Sequence, residues 1–397
     1  MSIQDYITKR EELQKTFIDF LDDQETILLK SHDLMISIND PDISEDKYEL
    51  KALCYLICKI SNNHHRTPLF HNKIDQILQL IEPKIKKFLT NKEIFRIFKT
   101  NKRILLFLIK EKLLTIDKSI VQTMKKEKYQ RAKYFYFFYP EIKTFIDEKQ
   151  RDEIENEVNK TSKNNPCLFE DMRTKAENPE PICEIIRNDS IDDFVSYLTL
   201  HTNSKNMIIE PSIFETNPFL YNRELTLLEY STFFGSIQIF KFLLLNGARL
   251  TPSLWIFAIH GQNPDIIHLL EEKKIQPLDC SFKECLKESI KCHYVNITSY
   301  ILNSISDGYQ IDDLDFSSLI IDNHNYSYFP TDLENPSIFL DLCKYNYVNL
   351  VKLLLKTKKI DVNQSVIHTN YNFHEIPRFL FSIKFQNDFF ESNSIVK

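Results

Sequence analysis

The chain has 397 residues, 43% of them hydrophobic with 30 Phe and 18 Tyr, which is enough apolar surface to bury large cores in two or three domains. Its longest uncharged apolar run in the first half, ILLFLI at 104–109, is closed by Arg103 and Lys110 and falls far short of the roughly 18 residues a membrane span needs. The start, MSIQDYITKREELQK, mixes both charges and lacks the basic opening and apolar core of a secretory signal, so a cytoplasmic location is expected, with the eight cysteines reduced.

Residues 1–146 read as a helical module. IQDYITKREELQKTFIDFLDD, YELKALCYLICKIS, KIDQILQLIEPKIKKFL and EIFRIFKTNKRILLFLIKEKLL all repeat apolar residues at i, i+3 and i+4. Residues 51–150 hold 22 Lys and Arg against 9 Asp and Glu, a local balance of +13. That excess could attract nucleic acid or an anionic membrane face, with the aromatics of KYQRAKYFYFFYP as stacking partners. The preferred reading is plainer: the cations solvate the outer faces of amphipathic helices, and Tyr134 to Tyr139 form a buried helix. NNHHRTPLFH, with His64, His65 and His71, reads as a polar turn with a capping role in preference to a metal site. Cys54 and Cys58, four apart on one helical face, read as buried thiols. The charged, proline-bearing stretch 147–181 is the linker candidate.

From about Ile182 the pattern changes. LLEYSTFF and IQIFKFLLL are two short helical runs parted by Gly235-Ser236, where glycine can take a left-handed helix end and serine can cap the next helix. Asn246-Gly247 closes the second run in the same way. The unit recurs: Ile266 aligns on Ile239 at a step of 27, Ile297 on Ile266 at 31, Leu350 on Ile297 at 53, and upstream Ser190 on Ser236. Five helical hairpins thus run from Ile182 to Leu355, and a sixth is read as starting near Ile376. The long step implies an acidic insertion near 303–336. From Cys292 to Cys343 there is no Lys or Arg, while Asp307, Asp312, Asp313, Asp315, Asp322, Asp332, Glu334 and Asp341 sum to −8. Docking of this insertion on the basic module is a further expectation.

A period near 30 residues marks a solenoid, in which each hairpin buries its apolar face only by stacking on its neighbours. TLLEYSTFFGSIQIFKFLLLNGARL resembles the ankyrin repeat, with Thr226, Leu228, Ser231, Gly235, Leu243, Leu244, Gly247 and Ala248 on its pattern; Glu229 replaces the histidine of T-P-L-H. Together with TPSLWIFAIHGQNPDIIHLLEE, CLKESIKCHYVNI and ISNNHHRTPLFHNKIDQIL, it is similar to a large ankyrin-associated family of unknown function expanded in parasitic protists. The resemblance implies an all-α, ankyrin-like solenoid and carries no assigned activity.

The function expected is therefore a non-catalytic scaffold that binds a protein partner on the concave face of the array, with nucleic-acid binding unlikely. From position in the inter-repeat turns, Arg249, Thr251, Ser253, Lys274, Gln276 and Lys283 are the candidate contacts. No cofactor or metal is expected: Cys280, Cys285, Cys292 and His293 lack the paired close spacing of a structural zinc site. Asp312-Asp313-Leu314-Asp315 lacks the alternating ligands, central glycine and closing glutamate of an EF-hand. No phosphate-binding glycine loop, HExxH or GxSxG is present.

Overall fold

A computed structural model describes residues 2–23, 27–40, 45–126, 131–161, 165–201, 207–305 and 316–357. The expected hairpin near Ile376 and the acidic residues Asp307, Asp312, Asp313 and Asp315 lie outside these. Helical spacing becomes helix nearly throughout. The strands among the described residues are two short ones, β1 (Ile208–Ile209) and β2 (Leu225–Thr226), paired antiparallel with Ile208 opposite Thr226. No described helix is long and apolar enough to cross a membrane.

The first half contains α1 (Ile3–Asp22), α2 (Ile27–Asn39), α3 (Lys47–Asn63), α4 (Phe70–Phe88), α5 (Asn91–Phe98), α6 (Lys102–Lys110), α7 (Lys118–Lys126), α8 (Arg131–Phe137) and α9 (Tyr139–Ile142). Sequence dictates where several begin: Ser2 with Asp5 and Thr90 with Glu93 form capping boxes, each satisfying two orphan amide donors. Tyr134, Phe135, Phe137, Phe138 and Tyr139 are buried, so these five rings form no displayed platform. The stretch expected as a linker is instead folded, as α10 (Glu148–Thr161) and α11 (Pro166–Lys175). Ile154, Val158 and Phe169 are buried in the first core, Met172 packs against it, and the buried Arg173 pairs with Glu141 at 2.8 Å. Charge density hid a one-sided helix.

The second half pairs α12 (Pro181–Arg187) with α13 (Ile191–Leu200), α14 (Leu227–Phe233) with α15 (Ile237–Leu245), α16 (Leu254–Gly261) with α17 (Pro264–Glu272), and α18 (Lys283–Lys291) with α19 (Val295–Tyr300). Then come α20 (Ser317–Asp322) with a 3-10 turn at Tyr326–Tyr328, and α21 (Pro336–Lys344) with α22 (Val348–Lys356). The first helices pack on one another in chain order: α12 on α14, α14 on α16, α16 on α18, α18 on α20, α20 on α21. At each tip one residue is left-handed: Asp189, Gly235, Gln262, His293, His324 and Asn346. Past five of these tips an amide closes the helix onto the carbonyl five residues back, as in Ser236 to Ser231 at 2.8 Å and Asn325 to Ile320 at 3.0 Å.

Five of these residues fall in the register expected from sequence. The His324 tip does not: the step of 53 divides into 31 and 22, so the latter part of the supposed insertion is itself a hairpin of the stack. Ser236 also departs from expectation. It donates to the Ile186 carbonyl at 2.6 Å, and the amides of Gln238 and Ile239 are capped by Asp189 of the preceding hairpin at 3.0 Å each. Asn263 on Gly235 at 2.9 Å and Asn325 on Ile290 at 2.8 Å repeat the device, so three successive tips are each tied in this way to the one before.

The two halves are not separate bodies. Tyr6 and Ile7 of α1 belong to the second core and Phe214 to the first. From Asp46 to Arg66, α3 and the turn after it run antiparallel to the array along its tips. Asp46 and Glu49 accept from Asn349 at 3.2 and 2.7 Å, and Tyr55 accepts from Asn346 at 3.4 Å while its ring lies 5.5 Å from that of His324. Lys59 pairs with Asp322 at 2.7 Å. His64 donates to the Cys292 carbonyl at 3.1 Å, and His65 Nδ1 stands 3.2 Å from the His260 carbonyl. Arg66 reaches Glu215 at 3.3 Å.

Candidate functional site

Antiparallel hairpins place their tips along one edge of the stack and their connecting loops along the other. The tip edge is covered by α1, α3 and the His64–Arg66 turn. The loop edge carries the candidate contact residues, on 246–253 and 273–283. Arg249, Thr251, Lys274 and Gln276 are exposed, and Ser253 and Lys283 are half-buried. Ser253 is engaged locally: its hydroxyl donates to Glu229 at 3.2 Å, and Glu229 in turn closes a capping box with Thr226. Glu229 thus helps to fix the start of α14, a role the histidine comparison concealed.

Sequence reasoning missed the apolar members of this edge. Leu245, at the end of α15, is 88% exposed and Leu278, in the loop after α17, is 75% exposed. Leu200, at the corresponding end of α13, is 81% exposed. Helical periodicity assigns the last leucine of FKFLLL to the core, whereas the turn at Asn246-Gly247 leaves it outward. Leucines interleaved with Arg249 and Lys274 give an edge able to bury a partner's apolar side chains and to pair with its carboxylates.

A second feature lies where the halves meet. A cavity of about 540 Å³ opens between the α1 face bearing Glu11, Lys15, Asp19 and Asp22 and the array tip at His293 to Ile297, with His64 at its wall. His64 is buried; Nδ1 donates to the Cys292 carbonyl and Nε2 lies 2.8 Å from Asp22 Oδ1. Burial pushes the Asp22 carboxyl up, but the hydrogen bond and charge of His64 outweigh it and hold the group below its ordinary range.

Three groups of metal-ligating type also meet beneath the tips. The ligand atoms of His260, Glu288 and Cys292 lie within 4.8 Å of one another. Opposite sides of the His260 ring serve the other two: Nε2 donates to Glu288 at 2.9 Å, and Nδ1 lies 3.6 Å from Cys292 Sγ. A single ion could not use both nitrogens, and Lys291 already pairs with Glu288 at 2.9 Å. Burial raises the Cys292 thiol, then the Glu288 charge adds to it. Burial also pushes the Glu288 carboxyl up, yet His260 and Lys291 prevail and bring it to about 2. The arrangement suits a hydrogen-bonded, charge-balanced core better than a metal site. Of the cysteines considered from sequence, Cys280 is exposed and Cys285 is buried apart from this cluster, and His293 belongs to the cavity. The sequence pattern overlooked His260 and Glu288, which come from different hairpins.

No protein-family model, no curated protein and no solved structure matches this chain.

Proposed function

We propose that the chain is a non-catalytic scaffold, an ankyrin-like solenoid that docks a protein partner along its loop edge. The observation that carries this reading is the pair Leu245 and Leu278, exposed on the edge opposite the one that α1 and α3 occupy. Solvent-facing leucines on consecutive loops are costly to leave in water and gain by being covered. Stacked hairpins support the reading further, since they offer an extended face rather than an enclosed catalytic pocket. The family resemblance in 226–250 points the same way.

The alternative, binding of nucleic acid or an anionic membrane through 51–150, has less support. Many of that segment's cations are already engaged: Lys51 with Glu93 at 2.6 Å, Arg103 with Asp75 at 2.6 Å, Lys110 with Glu170 at 2.7 Å, and Lys102 on the Ile213 carbonyl at 2.7 Å. Affinity capture by the whole chain, compared with a Leu245→Asp, Leu278→Asp variant of unchanged melting temperature, tests the proposal. Loss of the captured protein is expected; undiminished capture refutes the loop edge. Retention on an anionic matrix that weakens steeply with salt would favour the alternative.

A further inference from the structure

We propose that the loop edge selects a linear, acidic amphipathic segment of its partner, in which Asp or Glu is interleaved with Leu, Ile or Phe. This rests on the reading of that edge as the docking site and names the chemistry it takes.

The apolar contacts come one to a hairpin. Leu200 ends α13, Leu245 ends α15 and Leu278 follows α17, and these second helices pack side by side in chain order. Packed helices lie roughly 8–10 Å apart, so Leu200 and Leu245 recur at about that interval. The step matches roughly three residues of extended chain or about two turns of helix. A segment laid along the row therefore places an apolar residue on each leucine and leaves the positions between them for charge.

The charge on the loops decides its sign. Loops 246–253 and 273–283 carry Arg249, Lys273, Lys274 and Lys283 against one carboxylate, Asp279. Asp279 is already occupied, accepting from the Ser281 hydroxyl at 2.9 Å and from the Glu284 amide at 3.0 Å. Lys273 pairs with Glu272 at 3.3 Å. Arg249, Lys274 and Lys283 have no side-chain partner among the described residues. Helix dipoles do not absorb these cations, because α15 ends and α16 begins at the same edge, as α17 and α18 do, so carbonyl and amide termini offset one another. In the loop ahead of β2, Arg223 and Glu224 cancel. The edge is thus cationic on a chain whose net charge is −6. A neutral segment covering the leucines would strip water from unmatched cations, and a basic one would be repelled. Carboxylates set between apolar residues meet both demands.

Panning a random dodecapeptide phage library on the full chain tests the inference. Recovered peptides are expected to be enriched in Asp and Glu alternating with Leu, Ile or Phe, and to bind less tightly as salt rises. Arg249→Glu with Lys274→Glu, both exposed, is expected to weaken the recovered peptides at least tenfold at an unchanged melting temperature. Arg249→Gln with Lys274→Asn, which keeps a residue tolerant of the left-handed backbone at 274, is expected to weaken them less. Recovery of no peptide, recovery of peptides without acidic enrichment, or equal binding by the charge-reversed variant overturns the inference. The two proposals fail separately: capture of the protein partner that is lost with Leu245→Asp, Leu278→Asp but undiminished with Arg249→Glu, Lys274→Glu keeps the docking edge and removes the acidic segment.

Discussion

A Cβ placed on Gly235 would sit 2.6 Å from the carbonyl oxygen of Gly261, and one placed on Gly261 would overlap the Thr232 carbonyl. Consecutive hairpins therefore touch through bare backbone. This explains why a chain with four glycines spends two of them here. Gly235 also needs the left-handed conformation, whereas Gly261 is not left-handed, so Gly261→Ala isolates the steric term. A carbonyl in a helix cannot step aside, and the substitution is expected to cost about 1–3 kcal/mol. Urea unfolding followed by the fluorescence of Trp255, in the same helix, measures it. A wild-type midpoint would show that the tips are not in hard contact.

The register of the stack was legible because left-handed tips recur where short apolar runs break: Asp189, Gly235, Gln262, His293 and Asn346 all mark such breaks. His324 escaped because its second helix shrinks to one 3-10 turn at Tyr326–Tyr328, too short to display any period. The outward leucines escaped for the opposite reason, since Leu245 continues a core-like pattern one residue beyond the core. Docking of α3 on the tips was less legible still. Contacts such as Tyr55 with His324 join residues far apart in sequence, and no local periodicity encodes them. The expected attraction between the basic module and the acidic stretch survives in one described pair, Lys59 with Asp322.

The buried pair Arg66 and Glu215 should be the most sensitive link between the turn after α3 and the array. Arg66 also donates to Thr216 at 3.1 Å, and Glu215 accepts from the Asn217 amide at 2.7 Å. Removing one partner leaves the other charge stranded in the interior, at a cost of about 3–5 kcal/mol. Arg66→Met is therefore expected to lower the denaturation midpoint sharply, and Arg66→Met with Glu215→Leu to recover much of the loss. A double variant as unstable as the single one would mean that the charges matter only through their neutral neighbours.

Acid should unfold the protein from the histidines outward. Burial lowers His65 to about 4 and His293 and His324 to about 3, and it holds His71 well down, with Arg66 and Arg103 adding to the effect. In each case the folded value lies below the unfolded one, near 6.5, so the unfolded chain takes up protons first. Stability is complete above about 6.5 and falls with pH, by about 2 kcal/mol per such histidine at pH 5. Glu288, brought to about 2, adds a loss below about 4.5. Buried Glu49, Glu141 and Glu177, whose carboxyls are pushed up, offset part of this. His71→Phe removes one of the four titrations and two orphaned ring nitrogens. It is expected to be no less stable than wild type at pH 7 and more stable at pH 5; an unchanged difference between the two pH values would contradict the assignment.

Thiol reactivity reads out both the core and the loop edge. The thiolate is the nucleophile, and burial raises Cys58 to about 11 and Cys183 and Cys343 to about 12, with Cys54, Cys285 and Cys292 also pushed up. Cys167 and Cys280 are exposed. Two of the eight cysteines are therefore expected to react promptly with an aromatic disulfide at pH 8, and the other six only after denaturant is added. More than two prompt equivalents would mean that the helices open in the native state. Cys280 stands two residues from Leu278 on the loop edge, whereas Cys167 lies in α11 of the first half. A protein partner bound along that edge should slow labelling of Cys280 and leave Cys167 at its original rate. Equal protection of both, or of Cys167 alone, would place the partner elsewhere on the surface.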